Sequence, residues 1–154
     1  MQVKNVGDKE GKAVFVEAFP SCKPCPEIEG YISPFTVSPG CYKLLAENDD
    51  WITGMLEMEP GDEDPVHHHR DHLIYVLAGD EVTLTGEDGE PHAVPIAPGA
   101  GIPAPMSVPL MYKHTLKNSG KGPLKLLSLL KRPPRSHSSP PLPPHAMSPG
   151  SGRL

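Results

Sequence analysis

Between residues 41 and 131 the chain is a succession of short β-prone runs, each cut off by glycine, proline or an Asn/Asp cluster. No stretch of useful length carries a helical period. Short strands at regular spacing with Gly/Pro turns restrict the fold class to all-β, as an antiparallel sandwich or barrel. Residues 41–47 and 51–59 read as two strands around the polar turn Asn48-Asp49-Asp50. In the second run, Ile52, Gly54, Leu56 and Met58 make one mostly apolar face, expected to point inward. Residues 81–85 and 92–97 flank Glu87-Asp88-Gly89-Glu90, and Asp-Gly between β-rich runs signals a hairpin. Residues 124–130 supply a last apolar strand.

The two ends read differently. Residues 12–19 (Lys-Ala-Val-Phe-Val-Glu-Ala-Phe) are β-branched and aromatic enough for a first strand. A Pro-rich connector then runs from 20 to 40 and contains Cys22-Lys-Pro-Cys25. A C-x-x-C can be half a zinc site or a redox pair, but the only other cysteine is Cys41, so these are read as loop thiols. From 133 to 154 there is no acidic residue, no aromatic and little to bury, so a disordered tail is expected. The expected organisation is an arm over 1–40, a barrel over 41–132 and a tail over 133–154.

Charge and hydropathy exclude some partners. The formal net charge is −5, and the tail holds arginines and no acid, which leaves the rest more acidic still. No Lys/Arg patch with interleaved aromatics is present, so nucleic acid is not expected as a partner. No apolar run approaches the roughly 20 residues of a membrane span, and the N-terminus is too charged for a secretory leader. An odd count of three cysteines fits a reducing compartment, and the expected location is the cytoplasm.

The chemistry concentrates in Gly61-Asp-Glu-Asp-Pro-Val-His67-His-His69-Arg-Asp71-His72-Leu-Ile-Tyr75-Val-Leu-Ala-Gly79. His67 and His69 stand at i, i+2, so an extended strand projects both imidazoles from one face. Imidazole is the commonest protein metal ligand. His68 lies between them and is expected to face solvent. His92 is expected exposed, and His137 and His145 belong to the tail. A partner for the pair comes further on, in His114-Thr-Leu-Lys-Asn118. Asn118 itself is expected to hold a turn.

With these residues the chain resembles the cupin superfamily, small β-barrels with two signatures, G-x5-H-x-H-x3,4-E-x6-G and G-x5-P-x-G-x2-H-x3-N. Gly61-x5-His67-x-His69 matches the opening of the first, and His114-x3-Asn118 the close of the second. The resemblance covers residues 41–131. It implies an antiparallel double-stranded β-helix, a jelly-roll barrel of about six to eight strands. It also implies one divalent transition metal per chain (Fe, Mn, Ni, Cu or Zn), a small-molecule substrate or ligand, and pairing as a homodimer.

The departures from the pattern bear on the chemistry. Counted forward from His69, the family glutamate falls on Leu73 or Ile74; counted back from Tyr75 and Gly79, it falls on His72. Strand parity from His69 favours Asp71 instead, unless the chain bulges at Arg70. With Asp71 the site is histidines plus a carboxylate; with His72 it is all imidazole, made of His67, His69, His72 and His114. The latter leaves the ion a stronger Lewis acid. In the second signature, Ser107 replaces a glycine and six residues rather than two precede His114. That added loop carries Met106, Val108, Leu110, Met111 and Tyr112. It either borders a small-molecule pocket or packs outside the barrel, and Tyr112 is a candidate acid/base. Two functions are consistent with this: a metal-dependent oxidoreductase of the dioxygenase type, or a non-catalytic cupin that senses or stores a metal or small ligand.

Overall fold

The computed structural model describes residues 4–11, 13, 15, 27–70, 72–99, 101–104 and 113–132. Among them, one short helix, α1 (Pro34–Val37), precedes β1 (Tyr42–Glu47), β2 (Trp51–Met58), β3 (His67–His68), β4 (His72–Ala78), β5 (Glu81–Thr85), β6 (Pro91–Pro95), β7 (Gly101–Ala104), β8 (Lys113–Asn118) and β9 (Leu124–Lys131). They form two antiparallel sheets, one in the order β1-β2-β9-β4-β7 and one in the order β3-β8-β5-β6. The runs read as strands over 41–47, 51–59, 81–85, 92–97 and 124–130 all appear, shifted by no more than two residues. The proposed strand over 12–19 falls mostly outside the described residues, and Ala13 and Phe15 are not in a strand. Cys22, Cys25 and residues 133–154 also lie outside them. Among the described residues, no helix is long and apolar enough to cross a membrane.

Alternation decides which face is buried. In β2, Gly54, Leu56 and Met58 are buried while their odd-numbered neighbours are not, as the pattern predicts. In β9, Leu124, Leu126, Ser128 and Leu130 point inward and Lys125, Leu127, Leu129 and Lys131 outward. Tyr42, Leu56, Met58, Val76, Leu124 and Leu126 from one sheet meet Val82 and Leu116 from the other in one core. Each such aliphatic side chain contributes roughly 1.5–3 kcal/mol by leaving water. Gly79 ends β4 at φ +122°, where a Cβ would lie 2.8 Å from Leu124 Cδ1, so the chain can turn there only without a side chain. The Asp88-Gly89 turn closes β5 onto β6, with Gly89 at φ +75°. Strand β7 was not anticipated because Pro103 sits in it. Among the described residues the strand is at a sheet edge and pairs only with β4, where a missing N–H is tolerated.

Two polar devices tie the strands together. The Asn118 amide, fully buried, donates to Met58 O (3.1 Å) and Gly122 O (3.0 Å), and its Oδ1 accepts Gly120 N–H (3.1 Å). It therefore holds the β8–β9 turn against the end of β2, the turn role expected of it. Asn118→Ala should cost about 2–4 kcal/mol, because three backbone groups lose their partner. Urea denaturation measures this, and a loss below about 1 kcal/mol would mean that the backbone alone holds the turn.

On the outer face, Glu57 of β2 bridges Lys43 of β1 and Lys125 of β9, the latter at 2.6 Å. Hydrogen bonds from Lys125 and Lys43 hold its carboxyl down at about 2, against an ordinary value of 4.5. A depressed carboxyl stabilises the fold above its unfolded value and loses that contribution as pH falls through its folded value. The stability difference between the protein and its Glu57→Gln variant should therefore be full above pH 4.5 and fade as pH falls towards about 2. Carbon NMR titration of the carboxyl gives the check, and a midpoint near 4.5 would contradict the bridge.

Candidate metal centre

The site begins with a two-residue strand. His67 of β3 is the direct antiparallel partner of His114 of β8, and side chains opposite each other in such a pair share a face. His69 follows two residues after His67, and its ring comes back to the same place. The His67 and His69 ring centroids are 4.6 Å apart, His67 and His114 4.8 Å, and His69 and His114 5.0 Å. All three are buried, and one donor nitrogen from each lies within 4.8 Å of the others. The structure thus brings together His67, His69 and His114, drawn from two separate signatures.

The nitrogens suit a cation. His67 Nδ1 is 2.9 Å from Pro65 O, an acceptor only, so this nitrogen carries the proton and Nε2 presents its lone pair. That Nε2 lies 2.8 Å from His69 Nε2, while His69 Nδ1 is buried without a hydrogen-bond partner. Burial, and then the neighbouring His72, His67 and His114, push His69 well below its ordinary value, so it stays neutral. Buried imidazoles converging on one point, one of them with an unsatisfied nitrogen, are a donor set that a divalent transition ion fits.

His72 stands beside this group. Its ring stacks on His69 at 4.5 Å and 26°, its Nδ1 donates to Arg70 O at 2.7 Å, and it forms part of a cavity wall. It faces inward with Ile74 and Val76, but it is not one of the three mutually close donors. Asp71 and Tyr112 lie outside the described residues, as do Met106, Val108, Leu110 and Met111. His92 is half exposed and pairs with Asp88 at 3.6 Å.

His68 points away from the cluster, yet it does not face solvent. Its N–H donates to Ile32 O at 2.9 Å, and its Nδ1 accepts Ile32 N–H at 3.0 Å. Its ring also faces that of Tyr31, and the segment before α1 covers it. Burial, with Lys113 second, lowers its affinity for a proton. Position in a strand tells which face a side chain takes, but not what a distant segment lays over that face.

Two further residues complete the site. Asp64 is buried; its Oδ1 accepts Leu116 N–H at 2.7 Å and its Oδ2 accepts the Tyr42 hydroxyl at 3.0 Å. The same Oδ2 is 3.6 Å from His67 Nδ1, and the Tyr42 hydroxyl is 3.4 Å from His67 Nε2. Burial raises the Asp64 carboxyl, although His67, Leu116 N–H and Tyr42 pull it down. Burial first, and the Asp64 charge second, push Tyr42 well up, so the phenol stays protonated and donates. Neither residue carries a spacing signal. The one hint is an acid three positions before the first histidine.

Behind the imidazoles lies an internal cavity of about 260 Å³ that His69, His72, His114, Tyr42 and Ser128 share with aliphatic side chains from both sheets.

A family model described as a cupin domain matches residues 54–130, half of the chain. A crystal structure of a cupin domain from Bordetella pertussis Tohama I superposes with a TM-score of 0.52 at 14% identity, covering 59% of this chain and 91% of its own. A cupin superfamily protein from Desulfitobacterium hafniense gives 0.43 at 19% identity, over 58% of this chain and 74% of its own. No curated protein matches the sequence. The two antiparallel sheets, the paired His67 and His114 and the matched span lead to one assignment: this chain belongs to the cupin family.

Proposed function

We propose that this cupin is a metal-dependent oxidoreductase of the dioxygenase type acting on a small organic molecule, with one divalent transition ion held by His67, His69 and His114. The observation that supports it most is the convergence of three buried imidazoles, two of which, His69 and His114, line a cavity. A redox-active ion, when bound, supplies a Lewis acid and an electron relay towards dioxygen beside the substrate.

The chain's own residues prepare that site. Pro65 O fixes the tautomer of His67, and Asp64 holds both Tyr42 and the β8 backbone in place. This is the outer support that liganding histidines generally need. The Tyr42 hydroxyl gives its proton to Asp64 at the edge of the cavity, which leaves its oxygen lone pairs to accept from a substrate hydroxyl. His72, anchored through Nδ1 to Arg70 O, stacks against His69 and limits its rotation. Aliphatic side chains line the part of the cavity away from the histidines.

Metal analysis of purified protein, followed by oxygen uptake on a panel of small substrates, tests the proposal. About one iron, manganese, nickel or copper per chain with substrate-dependent oxygen consumption is expected. Stoichiometric zinc with no oxygen consumption would overturn it in favour of a non-catalytic metal- or ligand-binding cupin. The fourth imidazole, stacked on His69, favours that second reading, since a further ligand would close an open position.

A further inference from the structure

We propose that the cavity takes an uncharged, hydrocarbon-rich molecule of about ten non-hydrogen atoms, with a single oxygen donor turned towards the imidazoles. The orientation of the oxygen rests on the metal reading above; the character of the rest of the ligand does not.

Size comes first. A cavity of 150 Å³ lined by aliphatic side chains accommodates benzene, with its six heavy atoms. By proportion, 260 Å³ accommodates about ten, a single substituted ring or a compact bicycle. The sequence creates that space in the middle of a leucine row. The inward residues of β9 run Leu124, Leu126, Ser128, Leu130, and the serine faces Gly54 of β2 across the ladder. A side chain at Gly54 is prohibited, because a Cβ there would lie 2.5 Å from the Phe35 ring. A leucine at 128 would extend the row into the cavity. Ser128 thus sets the volume, and its Oγ, which donates to Gly54 O at 3.3 Å, keeps lone pairs for a ligand hydroxyl.

Polarity comes second. Leu56, Ile74, Val82, Leu84, Val94 and Leu126 wall the cavity away from the histidines. Among the described lining residues there is no Lys, Arg, Asp or Glu. The backbone groups of β2, β4, β5, β8 and β9 around the cavity are engaged in their ladders. A carboxylate or phosphate on the distal end of a ligand would be buried without a partner among the described residues. Sugar phosphates, amino acids and dicarboxylates are therefore the wrong class; neutral phenols, enols and cyclic alcohols are the right one.

The test uses the full chain after removal of metal by chelation, at pH 7.5, with 4-propylphenol and 4-hydroxybenzoate as probes of equal size, each of about ten non-hydrogen atoms. Both present a phenol oxygen; the first is neutral there and the second carries a carboxylate at the opposite end. Calorimetry should show 4-propylphenol binding at least tenfold more tightly than 4-hydroxybenzoate. Val94→Phe, on edge strand β6, should weaken the phenol at least tenfold and leave metal content after reloading unchanged. Equal or reversed preference would overturn the inference, as would a phenol affinity that Val94→Phe does not alter. Since the probes are compared without metal, a chain that binds phenol but never metal sinks the metal reading alone. A chain that holds metal and prefers 4-hydroxybenzoate sinks only this inference.

Discussion

The His67→Ala/His114→Ala variant is expected to carry no tightly bound transition metal, against about one ion per chain in the parent. The two residues face each other across the β3–β8 ladder, and their removal leaves His69 as the one member of the close group. A lone imidazole on a folded chain binds divalent ions weakly, because affinity comes from several donors held at one point before the ion arrives. The substitutions open a hole in a buried site, so folding has to be checked by circular dichroism before metal is counted. Full metal content in a folded double variant would sink the proposed centre. A His72→Ala variant sharpens the result. If His72 only packs on His69, metal content should survive and affinity fall modestly; complete loss of metal would make His72 a ligand.

The second large effect is expected at Asp64. Asp64→Ala deprives Leu116 N–H and the Tyr42 hydroxyl of their acceptor inside the protein. Two unsatisfied buried donors cost roughly 1–3 kcal/mol each, so a total loss of about 3–5 kcal/mol is expected, a large share of ordinary domain stability. Metal affinity should fall about 10–100-fold as well, as is usual when the support behind a liganding histidine is removed. Asp64→Asn, which keeps the shape and one acceptor, should lie between the two. Denaturation in urea and metal competition with a chromophoric chelator separate the stability and affinity effects. An Asp64→Ala variant as stable as the parent would show that these bonds are exchanged for water without cost.

What the sequence made legible is what spacing can encode. Period-two alternation in β2 and β9 gave the buried faces, and Asp88-Gly89 gave the hairpin. His67, His69 and His114 were legible because one strand's parity and two signature fragments fix which side chains share a face. Tyr42 and Asp64 were not, since their contact joins residues 22 apart in sequence and exists only once β1 closes over the barrel. His68 was misjudged for the same reason: Ile32, 36 residues earlier, decides its surroundings. Parity across Arg70 leaves His72 and Asp71 both open, and Asp71 lies outside the described residues. Among the described residues His72 is buried and inward beside Ile74, and Asp64 brings a carboxylate to the cluster from the opposite side of the histidine run.

The paired hydrogen bonds between Ile32 and His68 have a consequence for the whole histidine run. A strand of two residues has almost nothing of its own to fix its phase against β8, and consecutive histidines offer no contrast in side-chain type to resist slippage. One step along the ladder would turn His68 inward and carry His67 and His69 to the outside. The backbone at Ile32 works like a keyway that accepts only the middle histidine: its carbonyl takes the His68 amide and its amide meets the His68 ring. The segment before the barrel thereby indexes the strand, and three like residues in a row acquire one readable order.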